Sequence, residues 1–189
     1  MKKFTLIILL FMASYVTKAQ TGSVQYGLQA GTNIADFKGE GTSDIKSRIA
    51  FNAGLLMLYK LNPSLALNLS LLYGGHGGKE GPSTYAFSSI FLPVLASLMI
   101  YHFNLYLGPQ ISYLLSAKAK SSGGETDIKD NYKSLNTAAV AGLGYMFNQN
   151  LGLTAKYSLG LGNIHKSATA ANVQHTIFMI NLIWLLSKK

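Results

Sequence analysis

Cysteine is absent from the 189 residues, so no disulfide framework, cysteine-based metal site or thiol nucleophile exists. Charge is scarce too. Asp, Glu, Lys and Arg together make up 12% of the chain, about half the share usual in soluble domains. Proline occurs only four times, and no uncharged apolar run reaches the ~20 residues that a membrane-spanning helix needs. No His-Glu-x-x-His or comparable spacing joins His76, His102, His165 and His175, so a metal centre is not expected. The Gly142-Leu-Gly144 and Gly160-Leu-Gly162 pieces lead into no helix and are not phosphate loops. No cofactor is implied.

What is present is apolar: 49% of residues are hydrophobic, and nineteen are glycine. That mixture suits a chain in which one face of every element meets lipid. The first residues stand apart. Met1-Lys2-Lys3 is a positive n-region, Phe4 to Val16 is apolar, and Thr17-Lys18-Ala19 places small residues at the cleavage positions. Residues 1–19 therefore read as a Sec signal peptide, with a single domain over 20–189. Processing leaves thirteen basic against seven acidic residues, a net charge of +6. A basic surface in an outer membrane suits phosphate-rich lipopolysaccharide. The lysines are dispersed, which argues against nucleic acid.

The strongest pattern has period two. Leu65, Leu67, Leu69, Leu71 and Tyr73 alternate with Ala66, Asn68, Ser70, Leu72 and Gly74. Leu151 to Gly162 behaves alike, as does Val24 to Gly31. Each run is a strand with one aliphatic face and one small or polar face. Eight strands are expected, at about 23–34, 49–61, 65–76, 85–101, 105–117, 134–147, 151–164 and 173–186. Most exceed the five or six residues typical of soluble sheets. Tight connections at 62–64, 102–104 and 148–150 alternate with longer polar ones at 35–48, 77–84, 118–133 and 165–172. Short periplasmic turns alternating with longer external loops mark a transmembrane barrel. Tyr26, Tyr59, Tyr73, Tyr113, Tyr145 and Tyr157 fall near strand ends, as interfacial aromatic girdles require. The expected fold is all-β: a closed, antiparallel, up-and-down transmembrane barrel of about eight strands. Two segments, 90–101 and 177–186, are apolar on both faces and leave helical spans as a rival; a soluble lipocalin-like barrel is another.

Leu28-Gln-Ala-Gly-Thr-Asn-Ile34, Leu92-Pro93, Leu105 to Ser116, Ala141-Gly-Leu-Gly-Tyr-Met-Phe147 and Leu151 to Ile164 together resemble the PorT-like family of small outer-membrane β-barrel proteins. The resemblance spans essentially the whole mature chain. It implies charged residues inside the barrel: a Glu and a Lys where this chain has Phe91 and Ser97, an Asp at Asn136 and an Arg at Lys156. This chain has therefore lost most of that ion-pair network, with both signs lost together, as the cost of an unpartnered buried charge dictates. The resemblance also implies a terminal aromatic residue for assembly, whereas this chain ends Trp184-Leu-Leu-Ser-Lys-Lys189. The same likeness permits a place beside a secretion or surface-assembly machine and names no partner.

Three groups of residues bear on function. Lys156 is the clear inward charge deep in a strand, and with Asn136 it forms a candidate ligand site or polar plug. His76, Glu80 and Ser83 contain the residue types of a lipid-cleaving triad, although Gly74-Gly75-His76-Gly77-Gly78 reads more simply as a flexible loop mouth. Segment 118–133 is the richest in charge, with Lys118, Lys120, Glu125, Asp127, Lys129, Asp130 and Lys133 around Ser121-Ser-Gly-Gly124. Binding residues often sit on loops above a rigid scaffold. The reading these favour is a non-enzymatic outer-membrane module presenting external loops to a partner protein or sugar. A lipid-modifying enzyme and a small-ligand barrel are the alternatives.

Overall fold

The structure is a computed structural model and describes residues 22–39, 45–121, 123–164 and 173–186. Eight long strands carry the fold: β1 (Ser23–Gly39), β2 (Ile45–Lys60), β3 (Leu65–Glu80), β4 (Ser83–Ile100), β5 (Phe103–Ser121), β7 (Leu135–Met146), β8 (Leu151–Gly160) and β9 (Val173–Leu185). A ninth, β6 (Gly124–Asp127), folds back on the end of β5. Each long strand pairs antiparallel with its neighbours, and β1 pairs with β9, so the sheet closes on itself. Closure gives every long strand a partner on both sides, which hydrocarbon demands. No helix among the described residues is long and apolar enough to cross a membrane. The proposed signal peptide lies outside the described residues.

Side chains sort by the expected period. Leu28, Leu55, Leu71, Tyr73, Leu107, Leu143, Leu182 and Trp184 are exposed on the outer wall. Gln29, Asn33, Asn52, Asn68, Ser70, Gln110, Thr154, Ser158 and Asn181 are buried within. An apolar exterior around a polar interior is the inverse of a soluble lipocalin-like barrel, and that rival falls. The two runs apolar on both faces are strands, not helices. They supply inward plugs: Phe91 packs with Ala35, Leu72, Ile177 and Met179, while Ile183 and Leu185 join Leu56, Leu58 and Ala66 near the turn end. The ladder to β3 lapses at Leu92–Pro93, where proline brings no N–H to the sheet, and the ladder to β5 lapses just beyond, at Val94–Leu95.

The turns are local chemistry. Asn62 Oδ1 accepts the backbone N–H groups of Ser64 and Leu65, and Asn148 Oδ1 does the same for Asn150 and Leu151. The third turn centres on Tyr101-His102 rather than on 102–104, with Tyr101 at φ 54°. Phe103, Tyr145 and Phe147 stack edge to face beside it as part of an aromatic girdle.

The opposite end corrects the expected loops. Segment 77–84 is no loop: β3 runs to Glu80 and β4 starts at Ser83, joined by Gly81-Pro82 with Gly81 at φ 53°. Much of 35–48 is likewise strand. Cross-strand pairing of the glycine-rich segment with Ala86 and Phe87 holds it extended despite its low strand propensity. The barrel wall therefore continues beyond the aliphatic band rather than breaking into loops there. Such prolonged strands stand on the external side, since transmembrane barrels keep their short turns in the periplasm.

Candidate functional site

Above the aliphatic band the barrel is capped. Phe37, Phe87, Leu114, Ala117, Ile164 and Val173 form an apolar lid, with Ile45, Tyr85, Ile128 and Tyr132 packed against it. Beneath it, His76 of β3 and His175 of β9 stack with ring centroids 5.1 Å apart. A 2.9 Å hydrogen bond joins His76 Nε2 to Ser89 Oγ. The space between these groups and Asn136 is about 10 Å³, roughly the room one water needs. The space beneath the lid is thus filled by side chains, as an eight-stranded barrel permits.

The proposed triad does not assemble. His76 turns inward to Ser89, whereas Glu80 accepts a 3.1 Å hydrogen bond from the Tyr85 hydroxyl and Ser83 sits opposite Glu80 in the tip ladder. Two inward residues from strands remote in sequence replace it, and only barrel closure brings them together. His102 lies in its turn, with Nδ1 3.1 Å from Met146 O. His165 lies outside the described residues.

Lys156 and Asn136 are also separate. Lys156 stands opposite Gly142 and Asn136 opposite Ser112, and six residues along β7 span roughly 20 Å. Asn136 Nδ2 donates to Lys133 O at the lid. Lys156 is 3% exposed and points over the Tyr106 ring, with Nζ 4.9 Å from the centroid. No carboxylate among the described residues pairs with it. Phe91 and Ser97, standing where the resemblance implied charges, are both buried inward positions. A buried ammonium costs several kcal/mol, against about 2 kcal/mol from a desolvated aromatic face. Lys156→Met is therefore expected to stabilise the barrel by about 1–3 kcal/mol. Urea-dependent unfolding in detergent measures this, and a lowered midpoint would contradict it.

Segment 118–133 divides into two parts. Lys118 to Ser121 prolongs β5, and β6 pairs Thr126 with Ala119 and Glu125 with Lys120. Glu125 forms ion pairs with Lys118 and, at 2.8 Å, with Lys120. These two ammonium groups hold its carboxyl down to about 2. Asp127 Oδ1 accepts the Lys129 N–H, starting a single 3-10 turn at Lys129–Asn131. Ile128 and Tyr132 then dip into the lid, and Tyr132 meets Phe87 edge-on with ring centroids 4.9 Å apart. The expected loop is thus a charged hairpin on an apolar anchor. Two apolar residues within an otherwise polar stretch were the signal for that anchor.

A closed sheet with a lipid-facing exterior and a packed interior defines an integral outer-membrane β-barrel. The chain belongs to the family described as outer membrane protein beta-barrel domain, which matches residues 18–166. Among solved structures, the fold is similar to neisserial surface protein A, with TM-score 0.62 and 17% identity over 86% of this chain and 98% of that one. It is also similar to Ail, the attachment invasion locus protein of Yersinia pestis, solved in complex with the heparin analogue sucrose octasulfate. That pair has TM-score 0.55 and 19% identity over 87% of this chain and 99% of the other. No curated protein matches the sequence.

Proposed function

We propose that this barrel is a non-enzymatic presentation module: a rigid lipid-embedded wall that holds the β5–β6 hairpin and the following turn outside the cell for a partner to bind. The observation that carries this reading is the division of segment 118–133. Ile128 and Tyr132 fasten it to the lid, while Lys120, Glu125, Asp127 and Asp130 remain exposed. A non-enzymatic role is favoured because the candidate triad is dispersed. An interior space of about 10 Å³ favours presentation over small-ligand binding or conduction. Sec-dependent export through residues 1–19, and an accessory place beside a secretion or surface-assembly machine as the PorT-like resemblance implies, complete the proposal.

Co-purification from native membranes tests it. A variant with Lys120→Ala, Glu125→Ala, Lys129→Ala and Asp130→Ala retains Ile128 and Tyr132, so barrel assembly is expected to be intact. A partner captured by the parent protein should be lost from this variant. Equal recovery of that partner would show that the hairpin is not the contact.

A further inference from the structure

The stacked imidazoles beneath the lid have only cations and uncharged groups around them. On β2, Arg48 stands opposite lumen-facing Ala35, and its Nη1 donates to His76 O at 2.6 Å. Lys133 and Asn136 line the same small space as the two rings. The remaining neighbours are Phe37 on β1, Ser89, Phe87 and Phe91 on β4, Leu114 on β5, and Tyr132 and Ile164. No carboxylate among the described residues bounds the cluster. Glu80 accepts from Tyr85 at the strand tip, and Asp36 accepts the Phe37 N–H.

This setting suits neutral imidazoles alone. His76 Nε2 is paired with Ser89 Oγ, and Nδ1 has no hydrogen-bond partner among the described residues. A second proton on His76 would find no acceptor, a second imidazole at its face and a guanidinium on its own carbonyl. Buried charge without a partner is costly. Burial, with His175 and Arg48 adding to it, holds His76 well below the ordinary histidine range, and burial pushes His175 down to about 4. Both rings lie above the hydrocarbon. Asp36 and Lys38 flank the Phe37–His175 pair on the outer wall, and Gly77 and Ala86 lie beside the His76–Phe87 pair. The lid over the rings is fastened to the exposed hairpin: Tyr132 meets Phe87, whose ring is 5.4 Å from that of His76.

We infer that His76 and His175 form an acid-triggered latch: in mildly acidic surroundings both rings take protons, repel each other and Arg48, and drive Ile128 and Tyr132 off the barrel mouth. The hairpin is then released from its anchor while the wall stays closed. This rests on the presentation reading above and supplies its regulation. The rings bind protons more tightly in the open form, where water restores a value near 6.5. The closed lid is therefore fully stable above about 6.5 and weakens as pH falls from there toward about 4. Each ring shifts the balance toward the open form about thirtyfold at pH 5.

The chain has no cysteine, so two introduced thiols can be labelled selectively. Spin labels at Asp130→Cys on the 3-10 turn and Lys79→Cys on the β3 rim, both exposed positions, report the lid-to-wall distance in the full barrel by pulsed electron resonance. One narrow distance is expected at pH 7.5 and a longer, broader one at pH 5, reversing on neutralisation. His76→Phe with His175→Phe keeps aromatic rings and removes the titrating groups, so the narrow distance should hold at both pH values. If that pair fails to give the fast-migrating folded band, Arg48→Gln is the second route: with less repulsion the transition should move to lower pH. His102→Gln, in a turn at the opposite end, should leave the transition in place. An unchanged distance in the parent at pH 5, the same widening in the double variant, an unshifted transition in Arg48→Gln or its loss in His102→Gln would each overturn the latch. The measurement needs no partner, so failure of the presentation reading would show only in co-purification.

Discussion

Gly31→Ala is expected to prevent the barrel from closing. Gly31 lies on β1 at the seam where the first strand meets the last, opposite Asn181 of β9. A Cβ there would fall inside contact distance of the Ile180 carbonyl oxygen, the Asn181 side-chain oxygen and the Asn181 Cα. Two of these are backbone atoms of the partner strand, so no rotamer change relieves the clash. Overpacking ordinarily costs about 1–3 kcal/mol through shifts in side chains. Here the seam ladder itself must separate, and the expected loss exceeds about 3 kcal/mol. The folded, fast-migrating band in unboiled electrophoresis should disappear after refolding into detergent. Ala30→Val, one residue away and facing lipid, should retain it. A normal folded band from Gly31→Ala would show that the strands are not apposed this closely.

Phe91→Ala should be the largest loss among the interior side chains. Phe91 has no exposure and joins Ala35, Leu72, Ile177 and Met179, with the His76 ring 5.6 Å away. Its removal leaves a void enclosed by a wall that cannot collapse, since hydrogen-bonded strands set the barrel's circumference. A cost of about 3–5 kcal/mol is expected. Phe91→Leu should restore most of it. Leu92→Ala, on the lipid side, should cost much less, because mobile acyl chains fill the space. Unfolding midpoints in detergent distinguish these; equal losses for Phe91→Ala and Leu92→Ala would mean that position 91 is not enclosed.

The functional features were legible to different degrees. The charge of segment 118–133 was plain in the sequence, but its hairpin and its anchor through Ile128 and Tyr132 were not, because β6 exists only by pairing with the prolonged β5. Lys156 was correctly placed inside. Its neighbour proved to be Tyr106 rather than Asn136, since strand stagger separates residues that look equivalent along the chain. His76 seemed to belong with Glu80 and Ser83, its nearest candidates along the chain. It belongs with His175 and Ser89, which share the lumen with it.

By itself the sequence determined which side of the alternating strands meets lipid, because that follows from a property of neighbours two positions apart; the runs 90–101 and 177–186, apolar on both faces, it left open. It also determined the count of eight long strands and the places of the turns at Asn62 and Asn148. Tertiary structure alone decided the register at the β1–β9 seam, the bulge that sets Lys46 against Lys79, and the meeting of His76 with His175. Each depends on how far one strand slides past another before the ring closes. That offset is a collective result of packing glycines such as Gly31 against partner backbones, and no short stretch of sequence contains it.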